Sequence, residues 1–460
     1  MHLVDESDAV RLAGVDDLIA YFRGAEKPPA AWKVGTEHEL VGVRATGAGA
    51  GTAPRYDGPD GIRAVLDGFA ARGWEPVEEG GHVIALVRGA DQITIEPGGQ
   101  LELASRPMVD GAELAADLEA HRADLAAISR PLGLAWLAIG FRPFGTRADV
   151  PWMPKQRYDV MRAYMPTVGS RGLDMMLRTT TVQTNVDWSD EADAAAKLRA
   201  LLSVTSILTA LYAASPIVDG KPSGFQSYRA HIWRDTDNAR AGLLPFAFTG
   251  DDVYRSYVEW ALDVPMYFVY RGGYRTVTGL TFRRFLAEGW QGEYATRADW
   301  ALHLSTLFPD ARMKRYLEVR GCDCGTMPMI AALGPLIRGL LYDPAARAQT
   351  LALTSHLALA DREALADRVP REGLAAAVST AAGGTTTVGI LARELVAIAR
   401  AGLVRLDGAA APTVAMLAPV EEVAATGRTQ ADVILDTWQA TGGEPTAAIA
   451  ALAHPGLDGR

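Results

Sequence analysis

The chain has 460 residues, of which 49% are hydrophobic and 22% are charged, as in ordinary globular proteins. Its 55 acidic and 45 basic residues give a net charge of −10, which argues against a nucleic-acid platform because such proteins usually carry a basic face. No uninterrupted apolar run reaches the roughly 18 residues of a spanning helix, and the N-terminus lacks the features of a secretory signal. We therefore expect neither nucleic acid nor a membrane among its partners.

The two cysteines, Cys322 and Cys324, are separated by a single residue. Such a pair rarely forms an unstrained disulfide, and reduced thiols fit a protein of the cytosol. Two cysteines are also too few for a cysteine-based structural zinc site. We therefore expect a cytoplasmic protein whose cysteines are reduced.

The first predicted elements are a helix over residues 8–22 and a strand over residues 32–43. Successive side chains of a strand point to opposite faces, so Glu37 and Glu39 share one face, roughly 7 Å apart by strand rise, while His38 points away. Two neighbouring carboxylates repel unless a cation lies between them, and Mg²⁺ prefers oxygen ligands. The alternative is a solvent-facing strand that carries two charges.

A second pair of acids lies in the strand predicted over residues 92–103. Residues 97–99 (PGG) interrupt this strand and predict a bulge, which re-aims side chains. Glu96 and Glu102 are an even number of residues apart, so a regular strand places both on one face. A turn with exposed acids is the alternative. Considered with the first pair, these acids favour a metal cluster.

The middle of the chain alternates between the two kinds of element. Helices are predicted over residues 111–129, 154–164 and 189–214, and further strands over residues 82–87, 134–140 and 177–187. Four polar side chains share one face of the last strand, namely Thr179, Thr181, Gln183 and Asn185. A solvent-exposed face explains this pattern, but the long apolar helix that follows favours a sheet covered by helices. Polar residues on a covered face indicate a ligand site.

A stretch predicted to be extended over residues 225–233 places Arg229, His231 and Trp233 on one face. Arginine is suited to holding a carboxylate through two parallel hydrogen bonds. Pairing of the arginine with a neighbouring aspartate is the structural alternative.

A strand predicted over residues 313–320 places Glu318 and Arg320 on one face. An acid and a base in this arrangement fit a metal ligand beside a phosphate clamp, and they equally fit an ordinary ion pair. The chain has no Walker-type loop ending in Gly-Lys-Ser/Thr, so a nucleotide would be held in another way.

From about residue 327 the sequence is rich in Ala and Leu at helical spacing. Helices are predicted over residues 345–360, 388–402 and 429–440. No low-complexity linker or fixed-period repeat divides the chain. We therefore predict one catalytic domain over residues 1–460, of which 326–460 is a mainly helical C-terminal region.

Several ordered motifs of this chain resemble those of glutamate–cysteine ligases of the type shared by plants and many bacteria. The motifs lie at residues 34–39 (VGTEHE), 95–100 (IEPGGQ), 153–155 (MPK), 164–166 (YMP), 172–179 (GLDMMLRT), 229–233 (RAHIW), 261–267 (ALDVPMY) and 314–321 (KRYLEVRG). The similarity runs from about residue 32 to about residue 343 and continues more weakly beyond.

The resemblance implies an α+β fold related to glutamine synthetase, in which helices flank a curved, mainly antiparallel sheet. It implies ATP-dependent joining of the glutamate γ-carboxylate to the amine of L-cysteine through a γ-glutamyl phosphate. This reaction is the first step in the biosynthesis of glutathione or a related thiol. The implied partners are L-glutamate, L-cysteine and ATP, bound by a monomer or a homodimer.

The resemblance also implies roles for individual residues. The implied ligands of two or more magnesium ions are Glu37, Glu39, Glu96, Glu102 and Glu318, with Gln183 at a position where some distant relatives carry a histidine. The implied substrate-binding residues are Arg178, Thr180, Arg229 and Trp233. Arg229 and Arg320 are the implied catalytic residues. Lys314 and Arg320 are the implied nucleotide-binding residues.

Two features depart from the family pattern. Plant members use disulfide switches, and we expect none here because the two cysteines lie just after the strand that carries Glu318. The region after about residue 383 matches no family pattern that we identify. A related ligase that uses another amine is one alternative. A non-catalytic relative is the other, and it predicts loss of the metal carboxylates, which this chain retains.

Overall fold

A computed structural model describes residues 8–109 and 111–459. Its helices, labelled in chain order, are α1 Val15–Arg23, α2 Ile62–Ala70, α3 Gly111–Ser129, α4 Gln156–Tyr164, α5 Gly172–Arg178, α6 Glu191–Leu211, α7 Tyr228–Trp233, α8 Val253–Asp263, α9 Phe282–Glu288, α10 Arg297–Leu304, α11 Met327–Leu341, α12 Pro344–Leu353, α13 Leu359–Glu372, α14 Val388–Asp407, α15 Pro412–Ala415, α16 Ala418–Thr426, α17 Gln430–Ala440 and α18 Pro445–Leu452.

The strands of the same residues are β1 Val34–Arg44, β2 Glu75–Glu79, β3 His82–Arg88, β4 Asp91–Ile95, β5 Leu101–Ala104, β6 Leu134–Leu137, β7 Thr181–Val186, β8 Ile217–Val218, β9 Lys221–Pro222, β10 Ala241–Gly242, β11 Phe268–Tyr270, β12 Tyr274–Thr276, β13 Phe308–Pro309, β14 Ala311–Met313, β15 Leu317–Asp323, β16 Ala377–Ser379 and β17 Thr385–Thr387. The main sheet has the order β14-β15-β7-β1-β5-β4-β3-β2, and β6 pairs with β1. Every pairing in this sheet is antiparallel. The predicted α+β fold with a mainly antiparallel sheet is therefore confirmed.

The long strand β1 is the centre of this sheet. Its residues 37–40 pair with β5 and its residues 34–38 pair with β7, whereas residues 41–44 pair with β6. The sheet therefore divides where the partner of β1 changes from β5 to β6.

A helix covers one face of β1. Helix α11 packs against β1 and β7. A Cβ atom at Gly334 of α11 would lie 3.3 Å from Val34 Cγ1 and 3.4 Å from Thr36 Oγ1. Helix α11 therefore covers the face of β1 that carries Val34 and Thr36. Glu37 and Glu39 lie on the opposite face of the strand.

The C-terminal region is mainly helical apart from the hairpin of β16 and β17. Helix α14 packs on α6, α11, α12 and α16. Farther along, Ile449 and Leu452 of α18 share a hydrophobic cluster with Val41 and Leu137 of the sheet. The backbone N–H of Trp136 donates to Leu457 O at 2.9 Å. The end of the described chain therefore packs against the N-terminal sheet.

Within the described ranges, helix α6 is long and apolar enough, by length and composition, to cross a membrane. Inside the protein, 72% of its apolar window is buried. It packs against β15 and against α12, α13 and α14. Its start matches the prediction, because the Asp190 side chain caps it by accepting the Asp193 N–H at 2.9 Å.

Two predicted strands are each interrupted by a turn. The predicted bulge at residues 97–99 is wrong, because β4 and β5 form a hairpin and these residues belong to its turn. The single strand predicted over 313–320 is also wrong. Its first part belongs to β14 and its second part to β15, and Lys314 N–H donates to Tyr316 O at 2.9 Å in the turn between them.

Two further boundaries differ for local reasons. The strand predicted over 177–187 begins only at Thr181, because helix α5 extends to Arg178. The extended stretch predicted over 225–233 is wrong, since residues 228–233 form helix α7. The Ser227 hydroxyl caps this helix by accepting the Ala230 N–H at 3.1 Å.

The hairpin turn between β4 and β5 provides a test of this fold. A Cβ atom on Gly98 would lie 2.1 Å from Leu177 O of α5, so Gly98→Ala must push the turn away from the helix. We expect the free energy of unfolding to fall by about 1–3 kcal/mol, as in other overpacked sites, measured by urea denaturation. Gly250→Ala is the matched control, because nothing lies within 4 Å of its added methyl group. Equal stability of the two variants would contradict this packing.

Candidate active site

The register of the central strands brings the first two acids together with a third acid and an amide. Glu39 of β1 lies directly opposite Glu102 of β5, and Glu37 lies directly opposite Gln183 of β7. Directly opposed residues of an antiparallel pair share a face. The prediction that Glu37 and Glu39 lie on one face is therefore confirmed, and Glu102 and Gln183 lie on the same face.

The same face continues across the next two strands. Glu318 of β15 lies opposite Asn185 of β7 on one side and opposite Arg312 of β14 on the other. The Asn185 amide Nδ2 donates to Glu37 Oε1 at 2.7 Å. A continuous row of acidic, amide and basic side chains thus crosses the sheet from β5 to β14.

A cavity opens on this face. Most of the residues implied by the resemblance line it, namely Glu37, Glu39, Glu96, Glu102, Gln183, Arg229, Trp233, Lys314 and Arg320. Arg229 and Trp233 reach it from α7, where a spacing of four residues puts them on the same helix face. His231 lies elsewhere on that helix and stacks on Phe225 with a centroid separation of 4.2 Å.

Glu318 lies beneath the cavity wall and is fully buried. Arg312 Nη2 donates to its carboxylate oxygens at 2.7 and 2.8 Å, and Lys314 Nζ lies 3.1 Å away. Arg320 also donates to it. Although burial alone would raise the pKa of Glu318, these three cations hold it well below its usual range. In this structure Glu318 therefore forms ion pairs with basic side chains, which fits the ion-pair alternative. A metal ion could bind Glu318 only by displacing these side chains.

Arg178 and Thr180 do not line the cavity, in contrast to the roles implied by the resemblance. The guanidinium of Arg178 donates to Asp219 Oδ1 at 2.6 Å and to Gly145 O at 3.0 Å. The Thr180 hydroxyl is fully buried and donates to Ile139 O at 2.5 Å. Arg178 is directed away from the cavity because it is the last residue of helix α5. Thr180 is directed away because it points to the side opposite Thr179 and Thr181, which line the cavity.

The sequence interpretation missed several residues that line the cavity. Arg157 and Tyr158 reach it from α4, and Arg312 reaches it from β14. Lys155, just before α4, donates to Ile95 O at 2.7 Å, as does the Tyr158 hydroxyl. Burial lowers the pKa of Lys155 to about 8, against the opposing charge of Glu96. The motif at 153–155 pointed to this segment but did not show which side chains face the cavity.

The acids of the cavity suit a divalent cation by their chemistry. Burial, followed by the charges of Glu102 and Glu96, raises the pKa of Glu39 well above its usual range. Burial and the charge of Glu102 also raise the pKa of Glu96. Among the described residues, however, no three His, Cys, Asp or Glu side chains form a ready metal cluster. Magnesium would relieve the repulsion, and side-chain rotation would have to bring the carboxylate oxygens together.

Asp323, at the end of β15, holds the segment that presents Arg229. Its carboxylate accepts hydrogen bonds from the hydroxyls of Ser215 at 2.6 Å and Ser227 at 2.9 Å, and from the Ala214 N–H at 2.9 Å. Ser227 caps α7, and Ser215 Oγ accepts the Arg229 N–H at 3.1 Å. One buried carboxylate thus fixes both the start of α7 and the backbone of its cavity-lining arginine.

The two cysteines lie close to this segment and are free and fully buried. Burial raises the pKa of both thiols far above the ordinary range. A thiol of this kind is a poor nucleophile, because the thiolate is the reactive form. In this structure no disulfide joins Cys322 and Cys324.

The antiparallel sheet and its row of carboxylates and cations have the form that the resemblance implied for a ligase. A family model described as glutamate-cysteine ligase family 2 matches residues 33–451, and the chain belongs to this family. The match extends well past residue 383, so the predicted loss of the family pattern after that point is wrong.

Curated relatives and a solved structure agree with this assignment. The chain is 42% identical over 437 residues to the chloroplastic glutamate–cysteine ligase of Brassica juncea, covering 93% of this chain and 82% of that protein. It is 40% identical over 429 residues to glutamate–cysteine ligase A of Oryza sativa subsp. japonica, covering 92% and 84%. The crystal structure of a Francisella tularensis glutamate–cysteine ligase in complex with AMP aligns with a TM-score of 0.57 at 13% identity, over 91% of this chain and 87% of that one. This likeness shows a shared fold.

The expectation of a cytoplasmic location is contradicted by these comparisons. The curated relatives from Brassica juncea, Arabidopsis thaliana and Oryza sativa are all named as chloroplastic. The expectation rested on reduced cysteines, and buried thiols such as those of Cys322 and Cys324 stay reduced whatever the compartment.

The Asp323 network leads to a stability prediction. Asp323→Asn keeps the shape of the side chain but leaves one of its buried donors unpaired. We expect the free energy of unfolding to fall by about 1–3 kcal/mol, and amide hydrogen exchange within α7 to accelerate. Asp57→Asn, at an exposed position, is the control. Unchanged exchange in α7 would show that Asp323 does not hold this helix.

Proposed function

We propose that this cavity joins glutamate to cysteine in an ATP-dependent reaction that passes through a γ-glutamyl phosphate. The chain belongs to a family of glutamate–cysteine ligases, and synthesis of γ-glutamylcysteine is its reaction. The observation that supports this cavity as the place of reaction is the row of acids, amides and cations on one face of adjacent strands.

Arg229 and Trp233 are suited to bind glutamate. Arg229 is 3% exposed, and one of its terminal nitrogens donates to Arg320 O at 2.9 Å, which fixes the direction of the guanidinium. A fixed guanidinium can hold a carboxylate through parallel hydrogen bonds. Arg157, on the α4 side of the cavity, supplies a second positive charge for a substrate with two carboxylates.

The basic side chains around Glu318 are suited to stabilise a transferring phosphoryl group. In that step an oxygen of the glutamate γ-carboxylate attacks the terminal phosphorus of ATP, and the bond from this phosphorus to the ADP oxygen breaks. Negative charge is spread over the phosphoryl oxygens, so catalysis depends on positioning and on fixed positive charge. Arg320, Lys314 and Arg312 line the cavity and are held in place by one buried carboxylate.

Magnesium ions would supply further charge neutralisation at the phosphates. The residues that would hold them are Glu37, Glu39, Glu96 and Glu102, with the Gln183 side chain beside them. In the structure Gln183 Oε1 accepts a hydrogen bond from Arg320 Nη1 at 2.8 Å, so it also orients the arginine. We propose that these roles belong to one catalytic domain, in a monomer or a homodimer.

Product analysis tests this function. We expect purified protein with ATP, magnesium, glutamate and cysteine to form γ-glutamylcysteine, with one ADP and one phosphate released per product, as measured by mass spectrometry and phosphate assay. Omission of magnesium should abolish turnover. Other small amines in place of cysteine measure how selective the acceptor is. Absence of glutamate-dependent turnover with every amine would contradict the proposal.

The role of the carboxylates is tested separately. Glu39→Gln keeps the side-chain shape but removes one charge from the cavity. We expect turnover to fall about 100-fold or more, a typical loss for a group that stabilises transition-state charge, with unfolding temperature maintained or raised because repulsion with Glu102 and Glu96 is removed. Glu75→Gln, at an exposed position of β2, is the matched control. Full activity of Glu39→Gln would refute the metal assignment.

A further inference from the structure

Two acids of the cavity are held by neutral side chains. The Asn185 amide Nδ2 donates to Glu37 Oε1 at 2.7 Å. The Thr94 hydroxyl donates to Glu102 Oε2 at 2.7 Å. Thr94 is fully buried on β4 and lies directly opposite Glu102 of β5 in the strand register. In each contact, therefore, an uncharged donor fixes one oxygen of a carboxylate that lines the cavity.

A third acid of the cavity has a backbone donor. The Thr181 N–H donates to Glu39 Oε2 at 2.9 Å. Thr181 is the first residue of β7, and its hydroxyl donates to Cys322 O of β15 at 2.7 Å, which fixes this end of the strand. Three carboxylates on one face of the sheet thus receive hydrogen bonds from an amide, a hydroxyl group and a backbone N–H.

These contacts differ from those of Glu318, which is surrounded by three cations. Within the described ranges, neither Glu37 nor Glu39 forms an ion pair of 4.0 Å or less with a basic side chain. A neutral donor orients a carboxylate without cancelling its negative charge, so the charge remains available to a metal ion. With one oxygen held, the rotation that brings these acids onto a cation moves the other oxygen.

The contact between Asn185 and Glu37 needs an empty position on β1. Asn185 of β7 lies directly opposite Gly35, and Glu37 lies two residues farther along the same face. A Cβ atom on Gly35 would lie 3.3 Å from Asn185 Cβ and 3.4 Å from Asn185 Nδ2. Because Gly35 has no side chain, the amide can lie across this position and reach Glu37. An ionised carboxylate only accepts hydrogen bonds, so the amide nitrogen faces Glu37 and the amide oxygen does not.

We propose that Asn185 and Thr94 are positioning residues for the binding of a divalent cation, and that Gly35 provides the space that Asn185 needs. Neither Asn185 nor Thr94 lines the cavity, so both act through the carboxylates that they orient. The inference rests on the proposed function, in which Glu37 and Glu102 hold magnesium. Partners that orient metal ligands typically contribute about 10- to 100-fold to metal affinity.

Binding of Mn²⁺ alone, without substrates, tests the inference. Mn²⁺ prefers the same oxygen ligands as Mg²⁺, and its free concentration is measured by electron paramagnetic resonance. Thr94→Val keeps the shape of the side chain but removes the hydroxyl group, and Asn185→Leu keeps the branched shape but removes the amide. We expect each change to raise the Kd for Mn²⁺ by about 10- to 100-fold. Thr94→Ser retains the hydroxyl group and should retain most of the affinity.

Two further variants complete the set. Gly35→Ala crowds the Asn185 amide and should raise the Kd for Mn²⁺ by less than Asn185→Leu does. Thr184→Val is the matched control. Thr184 is fully buried on the other face of β7, and its hydroxyl group has no hydrogen-bond partner among the described residues. Removal of this hydroxyl group should leave the Mn²⁺ affinity unchanged.

Turnover separates positioning from a direct role in the reaction. In Thr94→Val and Asn185→Leu we expect the Mg²⁺ concentration for half-maximal turnover to rise by about 10- to 100-fold. The kcat at saturating Mg²⁺ should stay close to that of the wild-type protein. A purely structural role would lower the unfolding temperature and leave both the Mn²⁺ affinity and the Mg²⁺ requirement unchanged.

The outcomes separate this inference from the function on which it rests. Unchanged Mn²⁺ affinity in folded Thr94→Val or folded Asn185→Leu would overturn the inference, as would a lower kcat with an unchanged Mg²⁺ requirement. If neither variant folds, unchanged affinity in Gly35→Ala would overturn it. Formation of γ-glutamylcysteine by wild-type protein that binds no Mn²⁺ would overturn the inference alone. If wild-type protein neither binds Mn²⁺ nor forms this product, the proposed function itself is wrong.

Discussion

The burial of opposite charges on one face of an antiparallel sheet is the constraint on which the site depends. Glu318 is fully buried and is stabilised only because Arg312, Lys314 and Arg320 surround it. Removing one member of such a group leaves an uncompensated buried charge, which is strongly destabilising. The fold therefore keeps three cations at fixed positions beside the cavity, where a ligase needs fixed positive charge for phosphoryl transfer.

Acids on the neighbouring strands are arranged in the opposite way. Glu39 lies across from Glu102, and its pKa is raised by burial and by the charges of Glu102 and Glu96. Carboxylates are thus concentrated at this end of the cavity, and basic side chains at the Glu318 end. The asymmetry suits a substrate whose phosphates lie between bound metal ions and protein cations.

Side-chain alternation was sufficient to predict the part of the site that lies on regular strands. Glu37 and Glu39 share a face because β1 is an uninterrupted strand of eleven residues. Alternation failed where local hydrogen bonds changed the backbone. Ser227 starts a helix where an extended stretch was predicted, and Arg178 ends a helix and points to Asp219 instead of the cavity. Arg157 and Arg312 came into the site through packing between distant segments, which spacing along the chain does not reveal.

The central claim is that the glutamate γ-carboxylate is activated by direct attack on ATP within this cavity. Glutamate labelled with ¹⁸O in its γ-carboxylate tests this most directly, because one labelled oxygen should pass to phosphate when the amine displaces it. The account predicts one ¹⁸O atom in each phosphate released per γ-glutamylcysteine formed, detected by mass spectrometry. Release of unlabelled phosphate together with product would contradict an acyl-phosphate intermediate. It would also contradict the roles assigned to the cations around Glu318.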